Sequence, residues 1–310
     1  MKVLITAPWF TNSYLKELEK NFEVTINHKK TWFTVPELLD IIDQFDAVIA
    51  GLDSFTPGVI EKAKKLKIIA RRGIGYDKID LDSCAKQGIL VTNTPVPEEH
   101  LAVAEFTIGL ILDVMRNITF SHNSLHKNSW EREAFVGRDL LSSHVGILGL
   151  GHTGGETAKI LSSMGVNVSY CDPYVDDHRY RKVDINTLFE ECEVVSIHLP
   201  KTEETIGLVD RHKISRMKKD SYIVNTSRGE VLNERDVCKF IDNGTLKGVA
   251  TDVFSTEPPV KNLLLSRSEI IATPHIAAFS ENSFRKIDSV CVENVYRVLI
   301  ENTQPRFRIV

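Results

Sequence analysis

Short apolar runs alternate with amphipathic stretches along the whole chain. KVLIT, FEVTI, DAVIAG, KIIARRGIG and ILVTN read as strands, with SYLKELEKNF, PELLDIID, PGVIEKAKKL and DLDSCAKQG between them as helices. This alternation is what βαβ units of a mostly parallel sheet require. The pattern pauses at NTPVPEEH (93–100), where two prolines and a pair of glutamates end one element and open the next, which predicts a domain hinge. LAVAEFTIGLILDVM (101–115) is apolar on nearly every side, so as a helix it has to be covered from several directions, by another domain or by another subunit. Residues 118–143 are polar and irregular. From His144 a second series runs through HVGILGLG, VNVSYCD, EVVSIHLP, SYIVNTS, KGVATDVF and EIIATPHIA, long enough for a six-stranded doubly wound sheet. The last amphipathic stretch, ENSFRKIDSVCVENVYRVLIEN, places Ile287, Val290, Cys291, Val295, Val298 and Leu299 near one helical face, and such a helix could return to the first domain.

Composition narrows the functional classes. A chain of 310 residues has the length of about two domains. With 38 basic against 42 acidic residues it carries no positive excess to neutralise a run of phosphates, so nucleic acid is not the expected partner. The five cysteines (Cys84, Cys171, Cys192, Cys238, Cys291) are scattered and form no CxxC pair, which predicts reduced thiols and no metal site. MKVLITAPWF reads as a first strand rather than a signal peptide, and no apolar run approaches the roughly 20 residues of a membrane span. A soluble cytoplasmic protein is expected.

The second series opens on a nucleotide-binding pattern. GxGxxG (Gly149, Gly151, Gly154) follows an apolar strand directly and precedes a plausible helix, ETAKIL. Gly149 permits the tight turn, Gly151 the approach of a pyrophosphate, and Gly154 close packing of helix on strand. The next strand ends at Asp172, 18 residues beyond the third glycine. A carboxylate there accepts hydrogen bonds from ribose hydroxyls and repels a 2′-phosphate, which predicts NAD rather than NADP. Taken alone, the glycines also fit a chance turn or a methyltransferase loop.

Three polar residues then stand where strands of this half end: Arg228 in VNTSRG, Glu257 in DVFSTEP and His275 in ATPHIAA. In an open α/β sheet those ends converge on the ligand crevice. Reduction of a 2-keto acid needs a cation to grip the carboxylate and polarise the carbonyl, which suits the arginine fork. It also needs an acid near neutral pH, which suits histidine, and a neighbouring carboxylate favours the imidazolium. A methyltransferase would leave all three without roles.

With GLGHTG, HLP (198–200), NTSRG (225–229), DVFSTEP (252–258) and PHIAA (274–278) in order, and RRGIGYDKID (71–80) and VTNTP (91–95) before them, the chain resembles the D-isomer-specific 2-hydroxyacid dehydrogenases over nearly its whole length. The resemblance implies two doubly wound, Rossmann-like parallel-sheet domains, with a cofactor domain (98–278) inserted into a discontinuous substrate domain (1–97 and 279–310). It implies Arg228, Glu257 and His275 as the catalytic set. His152 and Thr153 would lie on the pyrophosphate, while Leu199, Thr226 and Asp252 would line the nicotinamide half. The loop Arg71, Gly73, Ile74, Gly75 would hold the substrate carboxylate. Within the family, RRGIGYDKIDLDSCAKQGILVTNTP and NSWEREAFVG look most like 3-phosphoglycerate dehydrogenases, which makes Arg71, and Arg132 from a neighbouring subunit, candidate phosphate ligands. The loop AGLDSFT (50–56), however, has no arginine where such proteins often carry one. Glyoxylate, hydroxypyruvate or D-lactate therefore stay open as substrates. A regulatory extension after the last helix is not expected, a homodimer is, and the non-enzyme alternative is an NAD-sensing corepressor-like binding protein.

Overall fold

The computed structural model describes residues 1–29 and 31–310. It divides into two compact units, Met1–Glu99 with Ser280–Val310, and His100–Phe279. The first unit contains β1 (Lys2–Ile5), α1 (Asn12–Leu18), β2 (Glu23–Ile26), α2 (Val35–Ile41), β3 (Ala47–Ala50), α3 (Pro57–Lys62), β4 (Ile68–Arg71), α4 (Leu81–Gln87) and β5 (Leu90–Thr92). The long α5 (Pro97–Arg116) begins there.

The five strands pair in parallel in the order β2-β1-β3-β4-β5. The hydrophobicity of β3, β4 and β5, and of β1 after Lys2, follows from cover on both faces, whereas the edge strand β2 alternates exposed and half-buried residues. Val3, Ile5, Ala47, Ile49, Ile68 and Ala70 point to one side, where the final helix α11 (Glu281–Leu299) packs Ile287, Val290, Cys291, Val295 and Leu299 against them. Leu4, Val48, Ala50, Ile69 and Val91 point to the other, against Leu38, Val59, Ile60 and Cys84 of α2, α3 and α4. Each large aliphatic side chain buried this way contributes about 1.5–3 kcal/mol before chain entropy is counted.

The second unit continues with α6 (Ile118–His126), β6 (His144–Leu148), α7 (His152–Ser163), β7 (Asn167–Cys171), β8 (Arg181–Lys182), α8 (Ile185–Glu191), β9 (Val194–Ile197), α9 (Arg211–Ile214), β10 (Ser221–Asn225), α10 (Glu234–Asp242), β11 (Leu246–Thr251) and β12 (Ile270–Ala272). Among the described residues its sheet is seven-stranded and parallel, in the order β12-β11-β10-β9-β6-β7-β8. The chain reverses direction across the sheet between β6 and β9, the switch point at which doubly wound sheets bind ligands.

Three expectations change here. The sheet has a seventh strand, because the exposed pair Arg181–Lys182 joins β7 at the edge. The 118–143 stretch is not wholly irregular, since Ile118–His126 forms α6. The apolar helix α5 is covered mainly by its own chain: Ile108, Leu110, Ile111, Val114 and Met115 lie in one core with Val145, Ile147, Val168 and Ile271. The exposed apolar surface sits farther on, at Ile118, Leu125, Trp130 (76% exposed), Val136 (72%) and Leu141. No helix among the described residues is long and apolar enough to cross a membrane.

Candidate active site

The turn from β6 into α7 is shaped by its three glycines. Gly149 has φ +94°, and a Cβ there would lie 2.6 Å from the His198 carbonyl oxygen. A Cβ on Gly154 would lie 2.0 Å from the Gly149 carbonyl oxygen, so the helix can approach this closely only with glycine. Gly151, by contrast, has no atom within 4 Å of its Cβ position and leaves the turn open to an incoming group. The first turn of α7 carries no acidic residue, so its N–H groups and the positive end of its dipole face no carboxylate of their own. That donor set fits a pyrophosphate.

Asp172 stands just past β7, and its carboxylate accepts Leu150 N–H at 2.8 Å, Tyr174 N–H at 2.8 Å and Val175 N–H at 3.0 Å. Of about four lone-pair positions on a carboxylate, three are occupied, which fixes its orientation and leaves capacity for a ribose hydroxyl. Leu199 packs over Gly149. Thr226 Oγ1 lies 2.8 Å from Thr107 Oγ1 of α5. His152 is the first residue of α7, its ring 4.9 Å from that of His100, whose Nδ1 lies 3.2 Å from Thr153 Oγ1. Burial, with His152 beside it, pushes the His100 imidazole down to about 4.

The three polar residues follow three adjacent strands, Arg228 after β10, Glu257 after β11 and His275 after β12. Asn225, at the end of β10, ties the arginine turn. It donates from Nδ2 to the Arg228 carbonyl at 2.9 Å and accepts Ser227 N–H at 3.0 Å and Oγ–H at 2.8 Å. A Cβ on Gly229 would lie 1.9 Å from the Phe254 carbonyl carbon, so the β10 and β11 turns touch backbone to backbone. His275 Nδ1 lies 2.9 Å from Glu257 Oε2, and both side chains are partly buried. An ionised carboxylate only accepts, so Nδ1 carries the proton of that bond and Nε2 is left for chemistry.

The His275 backbone has φ +55°, an unusual conformation for a side chain of this size. Asp252 holds it: fully buried, it accepts Thr273 Oγ1–H at 2.6 Å, Ile276 N–H at 2.9 Å and Ala277 N–H at 2.8 Å. The Asp252 carboxylate is thus engaged beneath the His275 turn.

In the first unit, the loop after β4 is tied along its length. Arg71 Nε donates to Gly75 O at 2.7 Å, Gly73 N–H to Thr94 Oγ1 at 2.8 Å, and Ile74 N–H to Glu99 Oε1 at 3.3 Å. Gly73 has φ +134°. Three residues not foreseen from sequence support this region. Arg72 pairs with Asp288 of α11 at 2.5 Å, with side chains 7% and 0% exposed, and stacks 4.3 Å from the Phe284 ring centroid. Asp288 also accepts Thr11 N–H at 3.0 Å and Oγ–H at 2.6 Å. Asp53, in the AGLDSFT loop, is buried; it accepts Phe33 N–H at 2.7 Å and the Thr6 hydroxyl, and burial pushes its carboxyl up.

Comparison with known proteins decides the family. Residues 108–277 match the model of the D-isomer specific 2-hydroxyacid dehydrogenase NAD binding domain. The chain belongs to the D-isomer specific 2-hydroxyacid dehydrogenases. It is 34% identical over 306 residues to a D-3-phosphoglycerate dehydrogenase of Methanocaldococcus jannaschii, covering 96% of this chain and 57% of that one. It is 36% identical over 287 residues to a hydroxypyruvate reductase of Thermotoga maritima, covering 91% and 92%. The chain therefore spans little more than half the length of the phosphoglycerate dehydrogenase it matches, and nearly all of the hydroxypyruvate reductase. Among solved structures, a Thermus thermophilus protein superposes with a TM-score of 0.92 at 29% identity over 100% of both chains. The D-lactate dehydrogenase of Aquifex aeolicus, complexed with NAD and lactic acid, superposes at 0.84 and 25% identity over 98% of each. NAD is the cofactor of the matched domain, and the turn at Gly149–Gly154 has the donors and the open space to receive it.

Proposed function

We propose that the protein is an NAD-dependent oxidoreductase that interconverts a small D-2-hydroxy acid and its 2-keto acid. The observation that carries this reading is the His275–Glu257 pair, 2.9 Å apart at the same sheet end as the glycine turn. Bound NAD supplies the acceptor or donor of the C2 hydride. In oxidation His275 Nε2 takes the hydroxyl proton, and in reduction it returns that proton to the developing alkoxide. Glu257 at Nδ1 orients the ring and stabilises its charged form. Arg228 grips the carboxylate and carbonyl oxygens through its fork. Gly149, Gly151, His152, Thr153, Gly154 and Asp172 hold the adenosine and pyrophosphate, Leu199, Thr226 and Asp252 border the nicotinamide half, and the Arg71–Gly75 loop takes the substrate carboxylate.

The names of the relatives favour 3-phosphoglycerate, with 3-phosphohydroxypyruvate as its keto partner. A second reading, hydroxypyruvate or glyoxylate, is favoured by Asp53: a buried acid in the loop where a phosphate ligand would be basic works against a dianionic tail. The test is a panel of 3-phosphohydroxypyruvate, hydroxypyruvate, glyoxylate and pyruvate, followed by loss of NADH absorbance. At least one should be reduced. His275→Ala should cut that turnover by about 10²–10⁴-fold, and Arg228→Ala should lose substrate affinity and turnover together while NADH still binds. NADH binding with no turnover on any keto acid would instead support the corepressor-like reading. We further propose a cytoplasmic homodimer that covers Trp130, Val136 and Leu141, for which light scattering should report twice the 35.0 kDa chain mass.

A further inference from the structure

We propose that His100 and His152 are both part of the cofactor-phosphate site and together take up one proton when the pyrophosphate of NAD binds. This rests on the assignment of the Gly149–Gly154 turn made above. His152 opens α7 with an exposed ring, and His100, only 7% exposed, lies behind it with ring centroids 4.9 Å apart and planes inclined by 30°. His100 Nδ1 reaches Thr153 Oγ1 at 3.2 Å, so the two imidazoles and the threonine hydroxyl line the first turn of one helix. The first turn itself carries no acidic residue, so a pyrophosphate seated on its N–H groups meets imidazoles there, with Asp172 held at Leu150 N–H and Glu156 farther along α7.

Without the anion, everything nearest His100 except one group disfavours its charged form. Burial removes water, and His152 adds like charge; only Glu156 acts the other way, and the imidazole is held down to about 4. The positive end of the α7 dipole works in the same direction as burial. Two negative charges arriving at the first turn reverse the balance, since an opposite charge within about 4–6 Å favours the protonated ring. Rings this close repel each other once charged, so the pair takes up one shared proton rather than two. The proton comes from solvent, adds to an imidazole nitrogen, and no bond breaks. His100 acts partly through Thr153, as a positioning residue, and its protonation makes cofactor affinity depend on pH.

The sign follows from linkage. Burial holds His100 neutral in the free protein and the bound pyrophosphate favours its protonated form, so binding strengthens as pH falls from the complex's titration range toward that of the free protein. Isothermal titration of NADH at pH 6.5 in two non-phosphate buffers of different ionisation enthalpy should show net proton uptake approaching one. Across pH 5 to 7 the NADH Kd should rise by up to about tenfold per pH unit. ADP-ribose, which keeps the pyrophosphate, should behave like NADH, and adenosine should bind without proton uptake. His152→Gln, at an exposed position, and His100→Gln should each reduce the uptake. The double variant should bind NADH more weakly, with the proton uptake abolished and the pH profile flattened. Uptake that persists in the double variant, or NADH binding by the parent with no proton exchange and no pH dependence, overturns the inference and leaves the dehydrogenase reading standing. A parent that binds neither NADH nor ADP-ribose at any pH overturns the cofactor-site assignment itself.

Discussion

Two neighbouring glycines of α7 should respond oppositely to the same added methyl group. At Gly154 a Cβ would sit 2.0 Å from the Gly149 carbonyl oxygen and 3.3 Å from His198 Cβ. A carbon and a carbonyl oxygen need roughly 3.3 Å, so Gly154→Ala must drive the helix start about 1 Å away from the β6 turn or strain both. Neither neighbour is the end of a flexible chain; one is backbone, and the other is a Cβ fixed to it. Overpacking of this kind costs about 1–3 kcal/mol. It also displaces the N–H groups of His152 and Thr153, so NADH affinity should fall at least tenfold. At Gly155 the nearest atom to a Cβ is Leu150 O at 4.0 Å, an ordinary contact, and the residue lies inside α7. Gly155→Ala should therefore stabilise by up to about 1 kcal/mol through helix propensity and reduced freedom of the unfolded chain, with NADH affinity retained. Urea unfolding gives the stabilities and quenching of protein fluorescence by NADH gives the affinities. If Gly154→Ala matches the parent on both measures, or if Gly155→Ala does the greater damage, the close-approach argument for this turn is wrong.

Removing one partner of the buried Arg72–Asp288 pair strands a charge against α11, so Asp288→Ala should cost about 3–5 kcal/mol in urea unfolding. Arg72→Met with Asp288→Leu should cost clearly less than Asp288→Ala alone, and an equal or larger loss would mean the pair itself is strongly stabilising. Burial pushes both His100 and His198 down to about 4, so between pH 6.5 and 4 the unfolded chain binds protons that the folded one does not. Stability should fall as pH drops through that window, by up to about 1.4 kcal/mol per pH unit for each histidine, and His198→Asn should show a shallower decline in thermal melts. Gly229→Ala forces a Cβ to 1.9 Å from the Phe254 carbonyl carbon, so it should lower the melting temperature and disturb the Arg228 turn; a parent-like melt and parent-like keto-acid turnover would count against that contact.

What was legible in the sequence is what has a local period or a fixed spacing. The strands of both sheets were visible because parallel strands covered on both faces become continuous apolar runs, as in IIAR of β4 and AVIA of β3, whose residues are all buried. The glycine turn was visible because its three glycines, two of them sterically required, fall within six residues. β8 was not, since two exposed basic residues at a sheet edge carry no hydrophobic signal. Nor was α6: ITFSHNSLH has no buried residue and starts after Asn117 in the left-handed conformation, so packing left no mark on its composition. The misreading of α5 has a related cause. Hydrophobicity on all sides says that a helix is covered, without saying by what, and most of the cover proved to be the sheet of its own unit.

Pairings across long stretches of chain were the larger loss. Arg72 and Asp288 are separated by 216 positions, and each alone reads as a surface charge; only the fold brings them together with Thr11 and Phe284. His100, in the hinge segment, reads as a helix-start residue until it is seen against Thr153, 53 positions on. Asp252 shows why the distinction matters for chemistry. Its place in the DVFSTEP motif marks it as a site residue, but its carboxylate accepts from Thr273, Ile276 and Ala277, and its backbone carbonyl from His275 N–H. A buried carboxylate with three donors is costly to move, so it fixes the path of the chain on both sides of His275 and sustains the φ of +55° from which the imidazole reaches Glu257. The short motif thus brings two carboxylates to one histidine, Glu257 at the His275 ring and Asp252 at its backbone turn, and only the hydrogen bonds separate them.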